Sequence, residues 1–112
     1  MRITTLVIVG GSVTHVSMES DLTFETVQGL VGGAIDTASS KEAVAWFGEL
    51  AEFRNAERNY LAEEVGNRVG IRLDNVYGPV VLTGAWNKAG IETSVPMWIQ
   101  EAAIEVSELI LI

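Results

Sequence analysis

Four arginines, Arg54, Arg58, Arg68 and Arg72, stand in the stretch 54–72, interleaved with Asn55, Asn59, Tyr60 and Asn67 and followed by Tyr77. Guanidinium forks and amide side chains can hold a phosphate or a carboxylate, and a tyrosine ring can stack on a base. Arg54 and Arg58 are four apart, so on a helix they would share a face. With Glu57, Glu63 and Glu64 included, this stretch carries a net charge of +1, against −9 for the rest of a chain whose total is −8. The residues Arg54, Arg58, Asn59, Tyr60, Arg68, Arg72 and Tyr77 therefore form the candidate ligand-binding set, with a small anionic, nucleotide-like molecule as the ligand class. The competing reading is that the arginines cover apolar surface and pair with nearby glutamates.

Other chemistry is poorly supplied. Cysteine is absent, which removes disulfides, thiolate catalysis and thiolate metal ligands. The single histidine, His15, lies between Ser12 and Ser17 in an alternating segment, and neighbours on one strand do not build a triad. Neither a P-loop nor a dinucleotide fingerprint occurs. Gly10-Gly11-Ser12 follows an apolar run but leads into another strand pattern, so it lacks the helix N-terminus that would hold a phosphate. The acid pairs Glu49/Glu52 and Glu63/Glu64 sit among polar neighbours and read as solvated carboxylates. Glu101, Glu105 and Glu108 read as a wet helix face rather than a metal site. No catalytic residue, metal or cofactor is expected, and the acidic balance disfavours nucleic acid as a partner.

These residues must be positioned by a small α+β domain spanning 1–112. Residues 3–9 are aliphatic and β-branched, Gly10-Gly11 is a two-residue hairpin turn, and residues 12–18 alternate as a returning strand. Asp21 or Thr23 can cap a helix over 24–30 with Phe24, Val27, Leu30 and Val31 on its apolar face, ended by Gly32-Gly33. Residues 34–37 read as a short strand. Asn55 or Asn59 can cap a helix reaching residues 64–67, with Tyr60, Leu61 and Val65 inward and Gly66 and Gly70 breaking it. Residues 71–77 read as a loop or edge segment, and 80–86 as a buried strand that ends in the turn 87–90. Ser94 can cap a final helix whose first turn holds Pro96 and whose apolar positions are Trp98, Ile99, Ala102, Val106, Leu109 and Ile110. Residues 41–54 fit a helix, which propensity alone mildly favours, or a hairpin.

Parts of residues 24–84 resemble a phage- and plasmid-borne family, domain of unknown function 3846. The resemblance is carried by Leu30-Val31-Gly32-Gly33-Ala34-Ile35, by Trp46-Phe47-Gly48-Glu49, by Asn59-Tyr60-Leu61-Ala62 and by Asp74-Asn75-Val76-Tyr77-Gly78-Pro79-Val80-Val81-Leu82-Thr83-Gly84. It implies a hairpin over 43–54, turning near Gly48 to Ala51 and returning through Phe53. It also implies an origin on a phage or other mobile element.

The expected architecture is a mostly antiparallel sheet, two β-hairpins plus a central strand, packed by two or three helices including a C-terminal amphipathic one. The expected function is binding: a phage accessory protein of host-takeover or counter-defence type, in the cytoplasm of the infected bacterium, holding a host protein or the anionic ligand. A second expectation is a structural or assembly protein that forms a homo-oligomer through Trp98, Leu109, Ile110, Leu111 and Ile112, since aliphatic ends of this kind are poorly tolerated in water. A third is a small hydrolase or transferase without a recognisable motif. No membrane partner is expected, because neither apolar end is long enough to span a bilayer.

Overall fold

Gly10 and Gly11 adopt φ of 59° and 76°, the paired left-handed conformation of a tight two-residue hairpin turn. They join β1 (Arg2–Val9) to β2 (Ser12–Glu19) in an unbroken antiparallel register from Val9↔Ser12 to Arg2↔Glu19. In this computed structural model residues 1–49 and 55–110 are described, Ile110 in its backbone only. A 3-10 turn (Ser20–Leu22) leads into α1 (Thr23–Val31), followed by β3 (Ile35–Ser39), β4 (Ala43–Gly48), α2 (Tyr60–Val69), β5 (Val80–Gly84) and α3 (Met97–Ile110). The sheet order is β2-β1-β5-β4-β3, with every neighbouring pair antiparallel.

The last strand in sequence thus becomes the middle strand in space. All five residues of β5 are buried, as a strand covered on both faces must be. On one face Leu6, Ile8, Ala43, Ala45, Val80 and Leu82 pack against Leu61, Val65 and Val69 of α2 and Ile99, Ala103 and Val106 of α3. On the other face Val7, Val44, Trp46 and Val81 pack with Met18 and with Val27 of α1. Thr83 is also fully buried, and its hydroxyl accepts the Trp46 indole N–H at 3.0 Å.

Several expectations need correction. β4 is a strand over 43–48, but its hairpin partner is β3, in the register Ile35↔Gly48 to Ser39↔Val44. The expected return through Phe53 falls in 50–54, outside the described residues. In α1, Phe24 and Leu30 are exposed while Thr23 and Val27 are buried. One i,i+4 line meets the sheet, and Phe24 stands about 100° round the helix from it. Neither Asp21 nor Thr23 caps α1: the 3-10 turn runs straight in, and the Thr23 hydroxyl donates to the Ser20 carbonyl at 3.1 Å. Ser94 does not cap α3 either, because its hydroxyl accepts the N–H of Thr4 at 2.9 Å. The Pro96 carbonyl takes the first helical bonds, from Ile99 and Gln100. Gly66 does not break α2, which continues to Val69 and stops at Gly70 in the left-handed conformation. Residues 71–77 form no strand, yet Ile71, Leu73 and Val76 are buried and close the end of the larger core.

Candidate functional site

Asn59 organises the site. Its side-chain oxygen accepts the Ala62 N–H at 3.0 Å, which caps α2. Its amide nitrogen donates to the Ile8 carbonyl and to the Gly78 carbonyl, both at 2.8 Å. One buried side chain thus ties the end of β1, the start of α2 and the approach to β5 together, with both donors and the acceptor used. The backbone reinforces the tie. Asn59 N–H donates to Val76 O at 2.7 Å, Gly78 N–H donates to Glu57 O at 2.8 Å, and Arg58 bridges Tyr77.

Arg58 lies at this junction. Its Nε and Nη2 donate to the two carboxylate oxygens of Glu63, each at 2.9 Å, a fork-on-fork pair. The guanidinium also sits over the Tyr60 ring, 4.6 Å from its centroid. The Glu63 carboxylate is mostly covered, and the Arg58 hydrogen bond holds it below the usual carboxylate range; burial opposes this, and backbone N–H groups of Val76 and Asn75 add to the lowering. The same bond raises Arg58 above its ordinary value, again against desolvation. Tyr60, expected to face inward, is 63% exposed.

Arg58, Asn59 and Tyr60 line one side of a cleft of about 460 Å³ between the β1–β2 turn and the first turn of α2. Val9, Gly10, Gly11 and Gly78 supply much of the rest, with Glu57 and Leu61. The glycine hairpin tip leaves this wall with backbone and the Val9 side chain only, and a Cβ built on Gly10 or Gly11 meets nothing within 4 Å. The chemistry on offer is an aromatic face backed by a neutralised cation, with exposed backbone on the opposite wall.

The remaining members of the sequence-predicted set lie elsewhere. Arg68 pairs with Glu105 of α3 at 3.1 Å and lines a second cleft, of about 390 Å³, with Glu64, Asn67, Val106 and Leu109. Arg72 pairs with Asp74 at 3.1 Å on an exposed loop. Arg54 lies outside the described residues. The three described arginines of this set thus point to three different places, each beside its own carboxylate. Arg58, Asn59, Tyr60 and Tyr77 are the members brought together.

Of the interface set, Trp98 is 45% and Leu109 57% exposed. Leu111, Ile112 and the Ile110 side chain lie outside the described residues. His15 is exposed on β2, and its Nε2 meets the Gln100 side-chain oxygen at 3.0 Å. Among the described residues no group of three or more His, Cys, Asp or Glu could hold a metal, and no helix is long and apolar enough to cross a membrane.

Gly10 and Gly11 were legible as turn residues but, like Gly78, not as cleft walls. Their sequence signal is a backbone signal, and their meeting with residues 57–61 is a product of β1 and β5 pairing. No family model, curated protein or solved structure matches this chain.

Proposed function

We propose that this chain is a non-catalytic accessory protein that works by binding, and that the cleft beside Tyr60 is its ligand site. The observation that carries the reading is the Arg58–Tyr60 stack. It presents a largely exposed ring at the edge of a cleft whose far wall is glycine backbone beside Val9. Two guanidinium nitrogens are committed to Glu63 and a second acid, Glu57, lines the cleft, so the site favours a flat ring over a phosphate. The ligand class is therefore nucleoside-like: a planar heterocycle stacked on Tyr60 that offers hydrogen bonds to backbone, with any phosphate directed to solvent. The origin on a phage or plasmid, with a host-takeover or counter-defence role in the bacterial cytoplasm, rests on the resemblance over residues 24–84.

Thermal unfolding in the presence of nucleosides and their monophosphates tests this. At ten times its Kd a ligand specific for the native state adds about 1.4 kcal/mol, a rise of roughly 5 °C for a domain of this size. Nucleoside and monophosphate should act alike, and Tyr60→Ala should remove the effect. No rise with any of them ends the proposal.

A second reading, an assembly protein that self-associates through its apolar C-terminus, is favoured by Leu109, which is exposed beside Val106 at the second cleft.

A further inference from the structure

The β1–β2 ladder is closed by a backbone bond from Ser20 N–H to Met1 O at 2.9 Å. Bonded and non-bonded pairs alternate along an antiparallel ladder. In the observed register the pairs bonded to β1 are therefore those of Ser12, Thr14, Val16 and Met18. Val13, His15 and Ser17 turn their N–H and C=O groups outward. β2 is an outermost strand, and among the described residues no strand lies beyond it. One outward group, the Ser17 carbonyl, has a long 3.4 Å contact with Arg2 Nη1. Natural edges are usually blunted by lysine, proline or a bulge. Residues 12–18 contain no lysine, proline or acid, and the register is unbroken.

α3 runs alongside this edge. Gln100 meets His15 of β2, so the line Met97, Gln100, Ile104, spaced i, i+3, i+7, lies on the side of α3 toward β2. Glu105, paired with Arg68, lies on the side toward α2. Met97 is 65% and Ile104 37% exposed. An unpaired strand edge and an uncovered apolar helix line thus lie side by side.

We propose that β2 pairs with β2 of a second copy about a twofold axis normal to the sheet, making one continuous ten-stranded sheet with the two α3 helices adjacent above it. The axis keeps both copies' helices on the same face. It therefore pairs residues of equal parity, and the outward-pointing groups centre the register on His15. Val13 of each copy then lies opposite Ser17 of the other, giving roughly six backbone hydrogen bonds. The side chains that meet are Val13, His15 and Ser17, with no lysine or carboxylate among them. A register one step further along would set Glu19 against Val13. The edge suits a second copy better than a foreign strand, because only a second copy brings its own Met97–Ile104 line to cover the first.

Amide hydrogen exchange of the full chain, combined with sedimentation equilibrium, tests the interface without any variant. The expected result is a dimer in which the amides of Val13, His15 and Ser17 are protected along with those of Ser12, Thr14 and Val16. A monomer at all concentrations, or a dimer in which only alternate β2 amides are protected, overturns the proposal. Variants add a second arm. Ser17→Pro removes an outward N–H without touching the β1 ladder, and Ile104→Glu charges the helix line. Each should raise the dimer dissociation constant about tenfold or more, while Leu109→Ser should leave it unchanged. Dependence on Leu109 alone would place the interface at the C-terminus instead and overturn the inference. Nucleoside binding at Tyr60 is read separately and does not bear on this result.

Discussion

Asn59→Asp replaces an amide by a carboxylate of the same shape and a comparable helix-capping preference. Judged by capping and by the helix dipole alone, it should be neutral or better. The geometry predicts the reverse. The amide nitrogen donates at 2.8 Å to both the Ile8 and Gly78 carbonyls in a site that is 8% exposed. A carboxylate there loses two donors and sets an anionic oxygen against two carbonyl oxygens. Two lost hydrogen bonds cost about 2 kcal/mol, and a buried charge without a partner adds more. Asn59→Ala loses the same two bonds and also the cap, for about 3 kcal/mol in total. Asn59→Asp should therefore destabilise at least as much as Asn59→Ala at neutral pH. It should recover part of the loss in acid, as protonation removes the charge and restores one donor. Urea unfolding at several pH values measures this. An Asn59→Asp variant within 1 kcal/mol of wild type at neutral pH, read against the ~1 kcal/mol of a cap alone, would refute the view of Asn59 as a three-way tie.

Gly66→Ala gains helix propensity but should cost about 2 kcal/mol, because the added Cβ would stand 2.5 Å from the Ile71 carbonyl oxygen, which belongs to backbone; unfolding midpoints decide it. The Arg58–Glu63 pair makes a directional pH prediction. The folded Glu63 value is depressed, so its contribution is present above the unfolded value near 4.5 and is lost as pH falls through the folded one. In Glu63→Gln this part of the acid sensitivity should vanish, and an unchanged acid profile would count against the pair. Leu6→Ala, at a fully buried position in the sheet, should cost about 3 kcal/mol in the same assay.

The local signals in the chain were largely readable. Gly10-Gly11 and Gly32 appeared as left-handed turn and helix-end residues because only backbone freedom was at issue. Asn59 was readable as a cap of α2 because its acceptor reaches only three residues along the chain. Its two donors were not readable, since their partners at Ile8 and Gly78 lie 51 and 19 residues away. The arginine stretch does not come together as a unit. Asp74 and Glu63, two and five residues along the chain, claim Arg72 and Arg58, as the reading of arginines paired with nearby acids expects, while Arg68 is claimed from 37 residues away by Glu105 on α3. The inward face assigned to Tyr60 missed because α2 buries the line Leu61, Ala62, Val65 and Val69, which leaves Tyr60 with Glu64 and Asn67 on the exposed face, where its ring stacks under Arg58.

The stack of Tyr60 beneath Arg58, facing a glycine wall, is best examined by following backbone amide resonances while adenosine is titrated into isotope-labelled protein. Shifts should concentrate at Gly10, Gly11, Tyr60, Leu61 and Gly78, saturate together, and leave Arg68 and Arg72 unmoved. A spectrum unchanged at millimolar adenosine, on the order of a weak-binding Kd, or shifts gathered around Arg68 and Leu109, would contradict the account.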